Sequence, residues 1–111
     1  MSSIFAQMIR GEVAVNKVHE SETVLVIKDI DPKAPIHFLL IPKTPYLNLQ
    51  QIPKKELGII QDIVSIAQNL AQKFGIENNY RLLTNVGTDA GQSIFHLHFH
   101  LIGGKPLGPI A

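Results

Sequence analysis

Three histidines alternate with apolar residues in the segment SIFHLHFHL, residues 93–101. His96, His98 and His100, here called the histidine row, occupy every second position, and side chains of a β-strand point alternately to its two faces. The spacing therefore predicts three imidazoles on one face of a strand. The opposite face, which we expect to meet the hydrophobic core, carries the apolar residues Leu97, Phe99 and Leu101.

The histidine row suits chemistry on a phosphate. A neutral imidazole is a nucleophile near pH 7, whereas a protonated imidazole is a cation and a proton donor. Phosphoryl and nucleotidyl transfer need attack on phosphorus, stabilisation of its oxygens and protonation of the leaving group. Alternate side chains stand ~6.6 Å apart along a strand and can flank a single phosphate. The row therefore favours a catalytic site for an anionic substrate.

Two other interpretations of the histidine row remain open. One is core packing without a function, although nothing in sheet stability requires imidazole at three alternate positions. The other is a zinc site, in which two histidines of the row and His37 from a neighbouring strand would bind one ion. The outer two Cα atoms of the row would lie ~13 Å apart, so three ligands from one strand would need a strong bend to converge.

Length and composition favour one folded domain over residues 1–111. Hydrophobic residues make up 45% and charged residues 17%, which is enough apolar material for a core. The net charge of +1 gives no general attraction to nucleic acid, and zero cysteines exclude disulfides, thiolate catalysis and Cys-ligated zinc. No secretory signal or bilayer-length apolar run is present, so we expect a soluble, cytoplasmic protein without membrane partners.

The elements that would position the row follow the order short helix, strands, long helix, strands, which predicts an α+β fold with an antiparallel sheet. SIFAQMIRGE (3–12) is predicted to form the short helix, with Ser2 or Ser3 as N-cap and Gly11 near its end. An apolar stripe predicts the long helix between Pro53 and Phe74, with Gly75 just past its end. Strands besides the row are predicted within VNKVHES (15–21), TVLVIKDI (23–30), HFLLIPK (37–43) and NYRLLTNV (79–86).

The segment HLHFHLI (96–102) matches the His-apolar-His-apolar-His pattern of the histidine-triad (HIT) family. GQS (91–93) before it and GG (103–104) after it resemble the Hint branch, the purine nucleoside phosphoramidases. IFAQMIRGE, DIDPKAPIHFLLIPK and YRLLTNVGTDAGQS are also similar to Hint stretches in the same order, so the resemblance runs from about Ile4 to the C-terminus. It implies a HIT-like fold with a five-stranded antiparallel sheet, one long helix and a homodimer that joins two sheets into one.

The resemblance also implies a hydrolase of phosphorus–nitrogen bonds that releases AMP or GMP in two displacements, without a metal or cofactor. His98 would attack the α-phosphorus and form a covalent nucleotidyl-histidine, which water then hydrolyses. His100 would contact and neutralise the phosphate oxygens. His96 and His37 resemble the pair that supports the nucleophile by hydrogen bonds, and Ser93 matches a hydroxyl near the leaving group.

The purine nucleotide would contact further residues by the same resemblance. Asp29 matches the carboxylate that accepts the ribose hydroxyls, although a turn-forming aspartate before a proline is an equal interpretation of its sequence context. Asn85 matches a polar contact, and backbone N–H groups around Gln92 and Ser93 would cradle an anion. The residues matching the apolar pocket for the base, for which core packing is the competing interpretation, are Ile4, Phe5, Met8, Ile27 and Ile30.

Two alternative functions accompany this prediction. A dinucleoside polyphosphate hydrolase of the Fhit type is disfavoured by the GG pair at residues 103–104. A non-catalytic purine-nucleotide-binding regulatory protein is disfavoured by the intact set of the histidine row, His37 and Ser93. The tail KPLGPIA (105–111) lacks the tryptophan that some Hint proteins carry there.

Overall fold

A single antiparallel sheet of five strands organises the chain, in the order β1-β2-β3-β5-β4. The computed structural model describes residues 3–111. The helices and strands are α1 (Ile4–Ile9), β1 (Lys17–Glu20), β2 (Val24–Lys28), β3 (Ile36–Pro42), α2 (Gly58–Lys73), β4 (Tyr80–Leu83) and β5 (Phe99–Gly103). Short 3-10 helices lie at Leu49–Gln51, Lys54–Glu56 and Thr88–Ala90. The predicted α+β fold is confirmed, with its five-stranded antiparallel sheet, one long helix and a short N-terminal helix.

The N-terminal helix begins at a serine cap. The Ser3 hydroxyl accepts a hydrogen bond from the backbone N–H of Ala6 at 3.0 Å, which satisfies one of the free amides of the first turn. Gly11 follows the helix with φ of +78°, a conformation that favours glycine. Ser2, the other predicted cap, lies outside the described residues.

The long helix starts later than predicted. The sequence from Pro53 first forms the 3-10 helix Lys54–Glu56, and α2 begins only at Gly58. Gly58 is therefore a terminal residue of α2 rather than an interior one, so its low helix propensity costs little. At the other end Gly75 has φ of +72°, and the Ile76 N–H donates to the Ala71 carbonyl at 2.8 Å. This is a Schellman end, as the glycine position predicts.

Each face of the sheet packs against one helix. The α2 face buries the predicted apolar set of the row segment, Leu97, Phe99 and Leu101, in one cluster with helix residues such as Ile63 and Ala67. The opposite face forms a second cluster beneath α1, which contains Phe5, Leu25, Ile27, Leu39 and Ile41. The alternation therefore places the imidazoles on the α1 side. None of the helices within residues 3–111 has the length and apolar character needed to cross a membrane.

Candidate active site

The histidine row lies at the entry to β5. The sequence pattern predicts a strand from the start of the row, but regular pairing begins only at Phe99, so His96 and His98 precede the strand. Two hydrogen bonds hold this segment against its neighbours instead. The Leu97 N–H donates to the Tyr46 carbonyl, and the Thr84 hydroxyl donates to the His98 carbonyl, both at 2.7 Å.

The imidazole of His98 has a fixed tautomer. Its Nδ1 lies 2.8 Å from the backbone carbonyl oxygen of His96. A carbonyl oxygen only accepts, so Nδ1 carries the proton and Nε2 keeps a lone pair when the ring is neutral. Burial lowers the pKa of His98, and the Phe5 ring packs edge-on against it at a centroid distance of 4.9 Å. His98 therefore presents a neutral ring with a lone pair on Nε2.

His37 and His100 share a hydrogen bond whose direction is also fixed. The Lys33 N–H donates to His37 Nδ1 at 3.0 Å, so the proton of a neutral His37 ring sits on Nε2. That N–H reaches His100 Nδ1 at 2.9 Å, which leaves the His100 proton on its own Nε2. Burial, together with the neighbouring His98 and His37, lowers the pKa of His100 to about 4. His100 is consequently a neutral N–H donor at pH 7.

The two oxygens of the Asp29 carboxylate have different neighbours, and only the predicted turn is formed by this chain alone. Oδ1 accepts the Asp31 N–H at 2.8 Å, which makes the turn before Pro32. Oδ2 lies 3.3 Å from His37 Nε2, and 18% of the Asp29 side chain is exposed. The turn therefore holds the carboxylate beside the imidazoles while leaving one oxygen within reach of a ligand.

Of the two residues predicted to support His98 by hydrogen bonds, His96 contacts it through its backbone and His37 does not. His96 is almost fully buried, its Nε2 lies 2.7 Å from the Pro42 carbonyl oxygen, and its Nδ1 lies 3.2 Å from the Ser3 hydroxyl. Within residues 3–111, neither the His96 ring nor the His37 ring hydrogen-bonds to His98. His96 bonds to His98 through its backbone carbonyl, and His37 bonds to His100 instead.

The glycine-bearing loop is shaped from within by Gln92. Its buried side-chain amide accepts the Gly87 N–H at 2.9 Å and donates to the carbonyls of Leu47 and Ile94 at 2.8 and 3.1 Å. Its backbone N–H donates to the Gly87 carbonyl at 3.0 Å. The predicted anion cradle therefore does not include the Gln92 N–H, which is already used by the loop. Ser93, the next residue, is exposed.

The other loop contact, Asn85, packs against a glycine. A Cβ atom added to Gly91 would lie 3.5 Å from Asn85 Nδ2, and Gly91 has φ of +106°. The distance is an ordinary van der Waals contact, so it is the left-handed conformation that favours glycine at this position. Asn85 is half-buried at this point of the loop.

The predicted base pocket divides into a packed part and an open part. Phe5 and Ile27 are buried in the cluster beneath α1, and Met8 packs against them. Ile4 is 39% exposed and Ile30 is 99% exposed. Ile30 is thus almost fully exposed, and its contact with the base stays a prediction.

A metal-like cluster lies at the same place, but its hydrogen bonds favour a different use. One ligand atom each from Asp29, His37 and His100 lie within 4.8 Å of one another. To bind zinc, His37 would need a lone pair on Nε2, whereas the Lys33 N–H on Nδ1 keeps the proton on Nε2. The geometry therefore favours a hydrogen-bonded chain over a metal centre.

Several contacts of the site had no signal in the sequence. The Lys33 N–H and the His96 carbonyl are backbone groups, whose roles depend on folding rather than on residue type. Thr84 lies inside the predicted strand 79–86 and directly follows β4, and nothing in that segment indicates its bond to the His98 carbonyl. The size of a cleft does not indicate where the site lies either. A cleft of about 840 Å³ near Arg81 and Lys105 contains none of the predicted site residues.

Comparison with known proteins decides the family. A family model described as the HIT domain matches residues 10–107. The chain belongs to the HIT family. A HIT-like protein of Chlamydia pneumoniae is 46% identical over 109 residues, which cover 98% of this chain and 99% of that protein. The purine nucleoside phosphoramidase of Escherichia coli strain K12 is 34% identical over 109 residues, 97% of this HIT protein and 92% of the relative.

The same likeness appears in three dimensions. A solved structure described as a HIT family hydrolase from Clostridium thermocellum is 42% identical and has a TM-score of 0.92. The match covers 97% of this HIT protein and 95% of that chain. The likeness to HIT proteins therefore extends over almost the whole chain and includes the histidine row.

Proposed function

We propose that this HIT protein is a hydrolase of phosphorus–nitrogen bonds that releases AMP or GMP from purine nucleoside phosphoramidates. The observation that carries the proposal is the complementary tautomers of two adjacent rings. His98 offers a lone pair on Nε2 and His100 offers an N–H on Nε2, with ring centroids 5.2 Å apart. A nucleophile beside a neutral donor suits attack on a phosphorus whose oxygens carry negative charge.

The reaction would proceed in two displacements. His98 Nε2 forms a bond to the α-phosphorus while the P–N bond breaks. The electron pair of the P–N bond stays on the leaving nitrogen. That nitrogen takes up a proton, for which we assign the exposed Ser93 hydroxyl as the relay from solvent. Water then attacks the nucleotidyl-histidine, releases the nucleoside monophosphate and returns His98 to its neutral form. Through both steps the His100 N–H would donate to a phosphate oxygen.

Nucleotide recognition would use the α1 side of the sheet. Asp29 Oδ2 is an acceptor for the vicinal ribose hydroxyls, since a carboxylate oxygen accepts more than one donor. The purine would lie against Phe5, Met8 and Ile27, and the exposed Ile4 and Ile30 would gain cover from it. The purine preference is supported by the 34% identical E. coli relative. Asn85 remains the proposed polar contact, and Gln92 would act by shaping its loop.

We also propose a cytoplasmic homodimer in which β4 of one protomer pairs with β4 of its partner. The sheet ends in β1 on one side and β4 on the other. In β1, three of the four residues, Lys17, His19 and Glu20, are polar and exposed, whereas β4 ends in the half-buried Leu82 and Leu83. Charged edge strands discourage pairing and apolar ones favour it. Light scattering of the purified protein measures the oligomeric state directly.

The deciding experiment is hydrolysis of adenosine 5′-phosphoramidate, followed as AMP release, by wild type and by His98→Ala. We expect turnover by wild type and a loss of about four orders of magnitude or more in the variant, as for removal of other covalent nucleophiles. A dinucleoside triphosphate serves as the competing substrate, and its preferred cleavage would indicate the Fhit-type activity instead. If neither substrate is cleaved although AMP binds, the protein is a nucleotide receptor and the proposal fails.

A further inference from the structure

Ser3 forms hydrogen bonds on both sides of its hydroxyl. Its Oγ accepts the Ala6 N–H at 3.0 Å as the cap of α1, and it lies 3.2 Å from His96 Nδ1. A hydroxyl has one donor and two acceptor positions, so both bonds can form at once. The second bond joins residues that are 93 positions apart in the chain. The first turn of the protein is thus tied to the start of the histidine row.

The direction of the Ser3–His96 bond follows from the other nitrogen of the ring. His96 Nε2 lies 2.7 Å from the Pro42 carbonyl oxygen, which can only accept, so Nε2 carries a proton. Burial lowers the pKa of His96, and the ring is therefore neutral at pH 7 with a lone pair on Nδ1. Ser3 must be the donor. The His96 ring consequently bridges α1 and the end of β3.

The bridge lies next to the nucleophile in two ways. The backbone carbonyl of His96 accepts the His98 Nδ1 proton at 2.8 Å, and this bond sets the tautomer that the proposed attack requires. The helix held by Ser3 also carries Phe5, whose ring centroid lies 6.1 Å from that of His96 and 4.9 Å from that of His98. A shift of α1 would move the ring that packs against the nucleophile.

We propose that Ser3 is a positioning residue, whose hydroxyl latches α1 to His96 and thereby holds the His96 carbonyl and the Phe5 ring against His98. For its kinetic part the inference rests on the proposed phosphoramidase activity. Its structural part is independent, because the hydrogen-bonded state of both histidines is observable without a substrate. His96 then acts as a neutral link between two elements rather than as a proton carrier.

Three substitutions separate the latch from the helix cap. Ser3→Asp caps a helix as well as serine does, but a carboxylate cannot donate to His96 Nδ1. Ser3→Gly keeps most of the capping and removes the donor, since glycine at an N-cap costs only a few tenths of a kcal/mol. Ser3→Thr keeps both the acceptor and the donor. Asn48→Gly is the matched control, because Asn48 caps the 3-10 helix Leu49–Gln51 by accepting the Gln50 N–H at 3.0 Å.

The readouts are ¹⁵N NMR of the histidine rings and steady-state hydrolysis of adenosine 5′-phosphoramidate. In Ser3→Asp we expect His96 to become protonated on both nitrogens at pH 7, because the carboxylate accepts from Nδ1. In Ser3→Gly we expect the His96 Nδ1 chemical shift to move toward that of a nitrogen whose lone pair accepts no hydrogen bond. The His98 Nδ1 proton should exchange faster with water. Ser3→Gly should lose about tenfold in kcat. Ser3→Thr and Ser3→Asp, which both keep a hydrogen bond to His96 Nδ1, should recover most of it, and Asn48→Gly keeps the wild-type value.

Two outcomes would overturn the latch. One is wild-type kcat together with unchanged histidine signals in Ser3→Gly. The other concerns a further variant, Ser3→Ala, which removes the cap and the donor together. A loss of kcat confined to this variant would show that only capping matters. If wild type has no phosphoramidase activity, the proposed function fails by itself, and the NMR signals of His96 and His98 still decide for or against the latch.

Discussion

Acid should destabilise this protein through His100. Its pKa is lowered from 6.5 to about 4 in the folded state, so between these pH values the unfolded chain binds a proton that the folded protein does not. Stability therefore falls as the pH drops through this window, and above pH 6.5 both states are neutral and His100 contributes no pH dependence. Each unit of pKa shift corresponds to roughly 1.4 kcal/mol, so the full loss at pH 4 is up to about 3 kcal/mol.

The test compares the free energy of unfolding in urea for wild type and His100→Asn at pH 7, 6, 5 and 4. Asparagine keeps an oxygen that can accept the His37 N–H, but it does not titrate. We expect the variant to be less stable than wild type by about 1 kcal/mol at pH 7. Its curve should then fall less steeply, so that the variant gains up to about 3 kcal/mol on wild type by pH 4.

Thr84→Val is the matched control, because it removes the hydrogen bond to the His98 carbonyl without removing a titrating group. It should lower the free energy of unfolding by about 1 kcal/mol at every pH. Carboxylates such as Glu20, whose pKa two lysine hydrogen bonds lower to about 2, contribute equally to all three proteins and cancel in the comparison. Parallel curves for wild type and His100→Asn would refute the reasoning.

Two further predictions concern the ribose contact and the loop. Asp29→Asn should weaken AMP binding about tenfold in calorimetry, because the ribose hydroxyls lose a hydrogen bond to a charged acceptor. Binding of 2′,3′-dideoxy-AMP, which lacks these hydroxyls, should be unchanged. An equal loss for both ligands would contradict the assignment. Gln92→Met should lower the free energy of unfolding by about 2–3 kcal/mol, because three backbone partners of a buried amide lose their bonds. Gln61→Met, on the exposed side of α2, is its control and should change stability little.

Features that depend on local patterns were predictable from the sequence. The alternation of Leu97 and Phe99 with histidines needs only the two-residue period of an extended chain, and it predicted which side meets the core. Gly75 after the apolar stripe similarly predicted how the long helix ends, because the left-handed conformation at that position favours glycine. Both inferences use information contained within one segment.

Features that depend on pairing between segments were not predictable. In the register of β3 with β5, His37 lies opposite Ile102, so its diagonal neighbour on the same face is His100 rather than His98. The sequence indicated that His37 joins the site but not which imidazole it meets. Likewise, Gln92 has the residue type of a ligand contact, and only its burial among three backbone groups shows that it shapes the loop.

The chemistry of the histidine row is set mainly by backbone groups, and this explains why its pattern alone is ambiguous. The Lys33 N–H fixes the proton of His37, which in turn fixes that of His100, and the His96 carbonyl fixes that of His98. His37 thereby donates to its neighbour, His100 carries its proton on Nε2, and His98 has a lone pair on Nε2. If Nδ1 of His37 were free, it could carry the proton of the ring. Nε2 would then have the lone pair that a metal ion needs. The turn that follows Asp29 and carries the Lys33 N–H is therefore as decisive for the function as the histidines themselves.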